Sequence, residues 1–338
     1  MLETTLSLSS LPGVSGWEDE VRAWIYEKCR PYADAIETDA MGNLFVWKSG
    51  RKALDKPLML CAPMDEVGLI VSGYREDGTL RFESVGEIDR RVLIGKRVEL
   101  GDARLPGVIG LKAIHLTSKE ERAAVPKEEE LYIDIGAETE QEARERISLG
   151  TRASFLPNAA GFGKGYWMGK AIGERACCAA LLEILKETPA VDLCCVFTVQ
   201  EEVECRGAVI AARRVDPILA VSLGVVCSAE DAPSLGGGLV IPYMDKGVVY
   251  PAALRTAALR AAEKYGVKLQ ESGRILPKNA GGSIQRSGEG VNVLSVLLPV
   301  RNPHTPACIL SESDAELLPK LIKAIAEEVD NGSFRYGA

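Results

Sequence analysis

The stretch Leu193-Cys194-Cys195-Val196-Phe197-Thr198-Val199, followed at once by Gln200-Glu201-Glu202-Val203-Glu204-Cys205-Arg206-Gly207, decides how this chain is read. Seven mostly apolar residues, rich in β-branched types, are too few for a helix and fit a strand buried on both faces of a parallel sheet. In an open α/β sheet, ligands collect beyond the carboxyl ends of the strands, so Glu201 and Glu202 stand where a site would be built. Neighbours on an extended chain point to opposite sides, so one carboxylate can act on substrate while the other holds a cation. The plainer alternative is a pair of acids preceding a helix over 207–214, favoured by the helix dipole.

Outward from this strand the α/β texture recurs. An apolar run over 57–62 ends in Pro63-Met64-Asp65-Glu66-Val67-Gly68, a second acidic pair beyond a strand. Gly169-Lys170-Ala171-Ile172-Gly173-Glu174-Arg175 leads into a helix with Cys177, Ala180, Leu181, Ile184 and Leu185 on one face. Strands are expected over 42–47, 217–222 and 291–300, and helices over 17–29, 251–265 and 313–329. Residues 6–16 read as turn-rich, and Gly236-Gly237-Gly238 as a loop that lacks the Lys-Ser or Lys-Thr of a phosphate cradle. From Val71 to Leu156 the texture changes to short alternating runs between Gly, Asp and Pro turns, the pattern of a small all-β unit. With α/β texture on both sides, residues 71–156 are an insertion, and 1–70 with 157–338 form one discontinuous domain.

Composition bounds the function. A net charge of −8 with no basic run excludes nucleic acid and anionic membrane surfaces as main partners. The start lacks a basic, apolar leader and no run approaches about 18 apolar residues, so a cytoplasmic protein is expected. Nine cysteines are an odd number, and the pairs Cys177-Cys178 and Cys194-Cys195 lie inside apolar runs, as small buried hydrophobes of a reducing compartment do. Cys61 and Cys227 read the same way. Only two histidines exist, His115 and His304.

Four motifs, in order, resemble the tetrahedral and glutamyl aminopeptidases: Pro-Met-Asp-Glu-Val-Gly at 63–68, Gly-Lys-Ala-Ile-Gly-Glu-Arg at 169–175, Thr-Val-Gln-Glu-Glu-Val at 198–203 and Pro-Val-Arg-Asn-Pro-His-Thr-Pro at 299–306. Gly110 to Leu116 and Tyr132 to Ala137 match within the inserted unit, so the resemblance covers nearly the whole chain. It implies an α/β catalytic domain with a mostly parallel central sheet flanked by helices, carrying an inserted β-barrel dimerisation domain. It also implies co-catalytic two-metal exopeptidases acting on short peptides, self-assembled from dimers up to twelve-subunit tetrahedral shells. In such enzymes two cations polarise the scissile carbonyl and acidify a bridging water, whose proton a carboxylate base accepts. Carried over by position, Glu201 matches that base and Glu202 a metal-binding Glu. His304 matches the second His ligand, and Asp65 the acid that orients the first His.

Three ligand positions depart from the pattern. Pro63 stands where the family has a metal-binding His, Gly173 where it has the bridging Asp, and Ser222 where it has a second Asp. Gly281-Gly282-Ser283-Ile284 likewise replaces Gly-Gly-Thr-Asp. Two remaining protein ligands fall short of the three typical of a catalytic zinc site, so a cation pair is not expected. The expected cofactor is therefore none, or one weakly held zinc, cobalt or manganese on Glu202 and His304, with Glu174 swinging in. Three readings follow. The chain has lost peptide hydrolysis and binds a peptide-like ligand or an active relative; it is a single-metal aminopeptidase on Glu202, His304 and Glu174; or it is a metal-independent hydrolase using Glu201.

Overall fold

The computed structural model describes residues 1–229, 233–272, 275–330, 332 and 334. Its central sheet runs, in spatial order, Ala35–Thr38, Leu44–Lys48, Leu193–Thr198, Leu58–Pro63, Leu219–Cys227, Val293–Arg301, Cys308–Ser311, Tyr166–Gly169 and Ala160–Gly161. The middle four are mutually parallel, and the flanking strands pair antiparallel. Those four carry the longest apolar runs because helices cover both of their faces. Helix Ile172–Leu185 packs on one face and is itself covered by Leu2–Ser9 and Leu317–Asp330; Arg206–Val215 and Ala280–Gln285 cover the other.

The Leu193–Thr198 strand is fully buried, with Leu58–Pro63 parallel on one side and Leu44–Lys48 antiparallel on the other. The strand read as ending at Ser222 instead runs on to Cys227, because Leu223-Gly224-Val225-Val226 continues the apolar run beside Val293–Arg301. The segment read as turn-rich at the amino end is helical over Leu2–Ser9. Thr5, Leu8 and Ser9 are buried there against Ile172–Leu185, a contact that local turn propensity does not reveal. The carboxyl-terminal helix is divided into Glu312–Ala315 and Leu317–Asp330.

Met64 to Val67 lead out of the sheet into a closed six-stranded barrel, Gly68–Tyr74, Leu80–Val85, Tyr132–Asp134, Leu105–Gly110, Arg97–Leu100 and Arg152–Phe155. Leu69, Phe82, Val98, Ile109 and Ile133 fill it from alternating positions, which closes every strand edge. No helix among the described residues is long and apolar enough to cross a membrane.

Candidate functional site

The carboxyl ends of Leu58–Pro63, Leu193–Thr198 and Leu219–Cys227 open into a cleft of about 270 Å³. Glu201 and Glu202 both line it, with Pro63, Glu174 and His304. The expectation that the two glutamates splay to opposite sides fails because the backbone stops being extended at Gln200, whose φ is +54°. Left-handed backbone recurs around the cleft at Glu204, Cys205, Asn302 and His304, none of them glycine. Each such residue costs of order 1–3 kcal/mol and persists only where surrounding structure imposes it.

The Glu202 side chain is 7% exposed, and the imidazole Nε2 of His304 lies 3.7 Å from its Oε2, too long for a hydrogen bond. Among the described residues, Glu201 accepts only from Cys205 Sγ, at 3.6 Å. Glu174 sits in the first turn of Ile172–Leu185 and is 8% exposed. Desolvation, followed by like charge from Asp65 and Glu174, raises the Glu201 carboxyl; desolvation and Glu201 raise Glu202 further. Glu174 is raised by desolvation as well, against partial relief from His304.

Asp65 lies behind the glutamates, 1% exposed. Its Oδ2 accepts from Ser15 Oγ and, at 3.1 Å, from the Glu202 amide, whereas its buried Oδ1 has no hydrogen-bond partner among the described residues. The opposite wall is held by a buried network. Tyr250 Oη and Asn279 Nδ2 each donate to Asp245 Oδ2 at 2.7 Å, and Ser295 Oγ donates to Asn279 Oδ1 at 2.9 Å. This network fixes the segments that present Lys246 and Lys278 to the cleft, where Lys278 pairs with Glu204.

The residues present do not fit a metal pair. Pro63 has no donor atom. A Cβ built on Gly173 would lie 2.5 Å from Val225 Cγ1 and 2.9 Å from Val300 Cγ1, so apolar side chains already fill the space beside this glycine. Ser222 does not line the cleft; it is buried in mid-strand beside Cys61 and Ser295, and Val225 is the residue of that strand that faces Gly173. Cys227, read as buried, is exposed at the cleft. His115 lies in the exposed 114–116 turn of the inserted unit. Among the described residues, no group of three or more His, Cys, Asp and Glu side chains is arranged to hold a metal ion. Sequence reasoning missed Val225, Lys246 and Lys278. The unbroken apolar run to Cys227 was the available signal for the first, and none existed for the lysines.

Comparison with known proteins agrees with this fold. A family model described as M42 glutamyl aminopeptidase matches residues 42–321. The Pyrococcus horikoshii TET1 peptidase, which can assemble into a tetrahedron or a large octahedral shell, superposes with a TM-score of 0.87. It is 31% identical, and the match covers 96% of this chain and 99% of that one. An aminopeptidase from the archaeon Desulfurococcus kamchatkensis superposes with a TM-score of 0.92 at 30% identity, covering 99% and 96%. A lysyl aminopeptidase of Pyrococcus furiosus is 28% identical over 94% of each chain.

Proposed function

This chain belongs to the M42 glutamyl aminopeptidase family, and from that premise we propose that it keeps the family's peptide-terminus cleft without paired-metal hydrolysis. The observation that carries the reading is the packing of Val225 and Val300 against Gly173, where a bridging carboxylate would have to stand. A Gly and two Val supply neither donor atoms nor negative charge, and a dinuclear centre depends on both. Asp65 Oδ1, which has no hydrogen-bond partner among the described residues, supports it: Pro63 has no imidazole for that oxygen to orient. The strained backbone kept at Gln200, Glu204 and His304 supports a cleft that still binds a ligand.

Metal analysis with a peptidase assay tests this. Protein dialysed against zinc, cobalt or manganese is expected to retain well under one metal per chain and to release no amino acids from di- to tetrapeptides. Stoichiometric metal with turnover that Glu202→Ala abolishes overturns it in favour of a single-metal enzyme on Glu202, His304 and Glu174, whose proximity is the observation favouring that alternative. Turnover that survives chelator and is lost in Glu201→Gln overturns it in favour of metal-free hydrolysis.

The relatives' shells and the exposed Ile114 and Leu116 of the barrel unit support self-association, read by light scattering. Eight buried cysteines and one exposed, all free, support a reducing, cytoplasmic setting.

A further inference from the structure

We propose that Glu18 is a positioning residue of the cleft: its carboxylate holds the left-handed backbone of Gln200, and so decides that Glu201 and Glu202 both face inward. The inference goes beyond the reading above and is independent of whether a cation enters. Strand Leu193–Thr198 is extended, and continuing it would send successive side chains to opposite faces. Gln200 breaks that alternation with a φ of +54°, a conformation that a residue with a Cβ keeps only under outside constraint. The turn's own bonds do not supply it. The amides of Cys205, Arg206 and Gly207 donate back to the carbonyls of Glu201, Gln200 and Val199, which leaves the Gln200 amide outside this set. Its acceptor is Glu18 Oε1, at 3.1 Å, on the amino-terminal segment. On either side the Val199 and Glu202 amides donate to Asn43 Oδ1 and Asp65 Oδ2, so side chains distant in sequence grip the whole start of the turn.

Its place at a helix start does not account for Glu18. It is the N-cap residue of Asp19–Cys29, where a polar side chain ordinarily accepts from amides of its own first turn, yet it caps none of them. Instead Oε1 accepts from the Gly16 amide at 2.7 Å and from the Gln200 amide, and the residue is only 4% exposed. A buried carboxylate is unfavourable unless donors meet its charge, and these two amides are the donors that explain a glutamate here. Its neighbours anchor it. Trp17 Nε1 donates to Asp102 Oδ1 at 3.1 Å and Glu20 pairs with Arg104, both in the barrel hairpin that joins Arg97–Leu100 to Leu105–Gly110. Ser15 Oγ donates to Asp65, the acceptor of the Glu202 amide. One strap over 15–20 therefore sets the glutamate turn against the barrel as well as against the sheet.

Hydrogen exchange and iodoacetamide alkylation of the native full chain, both resolved by residue in mass spectrometry, test this. Cys205 reports on the turn, because its amide donates to the Glu201 carbonyl at 2.9 Å and its thiol to the Glu201 carboxylate. Cys29 and Cys195 lie in the main core and report on general loosening. Glu18→Ala is expected to speed exchange at the Gln200 amide and alkylation of Cys205 by about tenfold, the weight of a hydrogen bond to a charged group, with Cys29 and Cys195 unchanged. Glu18→Gln keeps an oxygen for both amides and should stay within about twofold of the parent. Glu18→Asp, one methylene short, should fall between them. Should Glu18→Ala not accumulate as folded protein, faster exchange in Glu18→Asp than in Glu18→Gln carries the same expectation, and equal rates overturn it. Parent-like exchange at Gln200 in Glu18→Ala overturns the proposal. So does a rise shared equally by Cys29, Cys195 and Cys205, which makes Glu18 part of overall stability and not of the turn. A Glu18→Gln variant as loose as Glu18→Ala overturns it too, because charge and not the two accepted bonds is then responsible.

Discussion

Glu66 and Glu174 are both buried glutamates, one next to Asp65 and the other next to Arg175, yet their surroundings are opposite. Glu66 accepts from Lys170 Nζ at 2.6 and 2.8 Å, from the Gly13 amide at 3.0 Å and from Ser154 Oγ at 3.0 Å, with Arg175 Nη2 3.5 Å away. Lys170 also donates to the Leu11 carbonyl at 2.7 Å, and Arg175 to the Met64 carbonyl. One charge cluster, in which Glu66 is fully paired although Arg175 Nε and Nη2 lack a hydrogen-bond partner among the described residues, thus ties the amino-terminal loop, the barrel and the core helix together. A few residues away, Glu174, Glu201 and Glu202 face a cavity with a single imidazole among them. Burial is shared by the two regions and neutralisation is not. The first is a fastening of the architecture, and the second is a place built to receive something.

The contrast can be broken or sharpened by substitution. The largest effect is expected from Glu66→Ala, which strands Lys170 as a buried, unpaired cation. Urea unfolding should show a loss of about 3–5 kcal/mol, and a loss below about 1 kcal/mol would place this cluster with ordinary surface pairs. Gly173→Ala should cost about 1–3 kcal/mol by overpacking Val225 and Val300. Adding Val225→Ala should recover part of that loss, and no recovery would show that the methyl meets a different obstacle. Glu174→Gln should change stability by less than about 1 kcal/mol, or raise it, because no partner is lost and a desolvated charge is removed. A large destabilisation there would erase the difference between the two regions. The smallest effect is expected from Glu187→Gln, an exposed partner of Lys323 at 2.7 Å, with a change within about 0.5 kcal/mol.

Much of this was legible in the linear chain. Apolar runs over 57–62 and 193–199 gave central strands because a strand buried on both faces must be apolar throughout. The change to short alternating runs after Val71 marked the barrel because one face of each strand points inward and the other outward. Glu201, Glu202, Glu174 and His304 were singled out by motif, and the fold brings them to one cleft. Other features were not legible. Asp65-Glu66 and Glu201-Glu202 look alike as acidic pairs after strands. Only folding places Lys170, Ser154 and Gly13 around Glu66 and leaves the other pair with an imidazole and a thiol.

The linear chain was enough for the central strands, the inserted barrel and the residues able to carry charge, since these depend on period and side-chain chemistry, but not for the amino-terminal helix Leu2–Ser9. Tertiary structure alone decided which carboxylates are neutralised and that Val225, not Ser222, closes on Gly173. Both depend on contacts between strands and helices far apart in sequence, where distance in space and access to water set the energy of a charge.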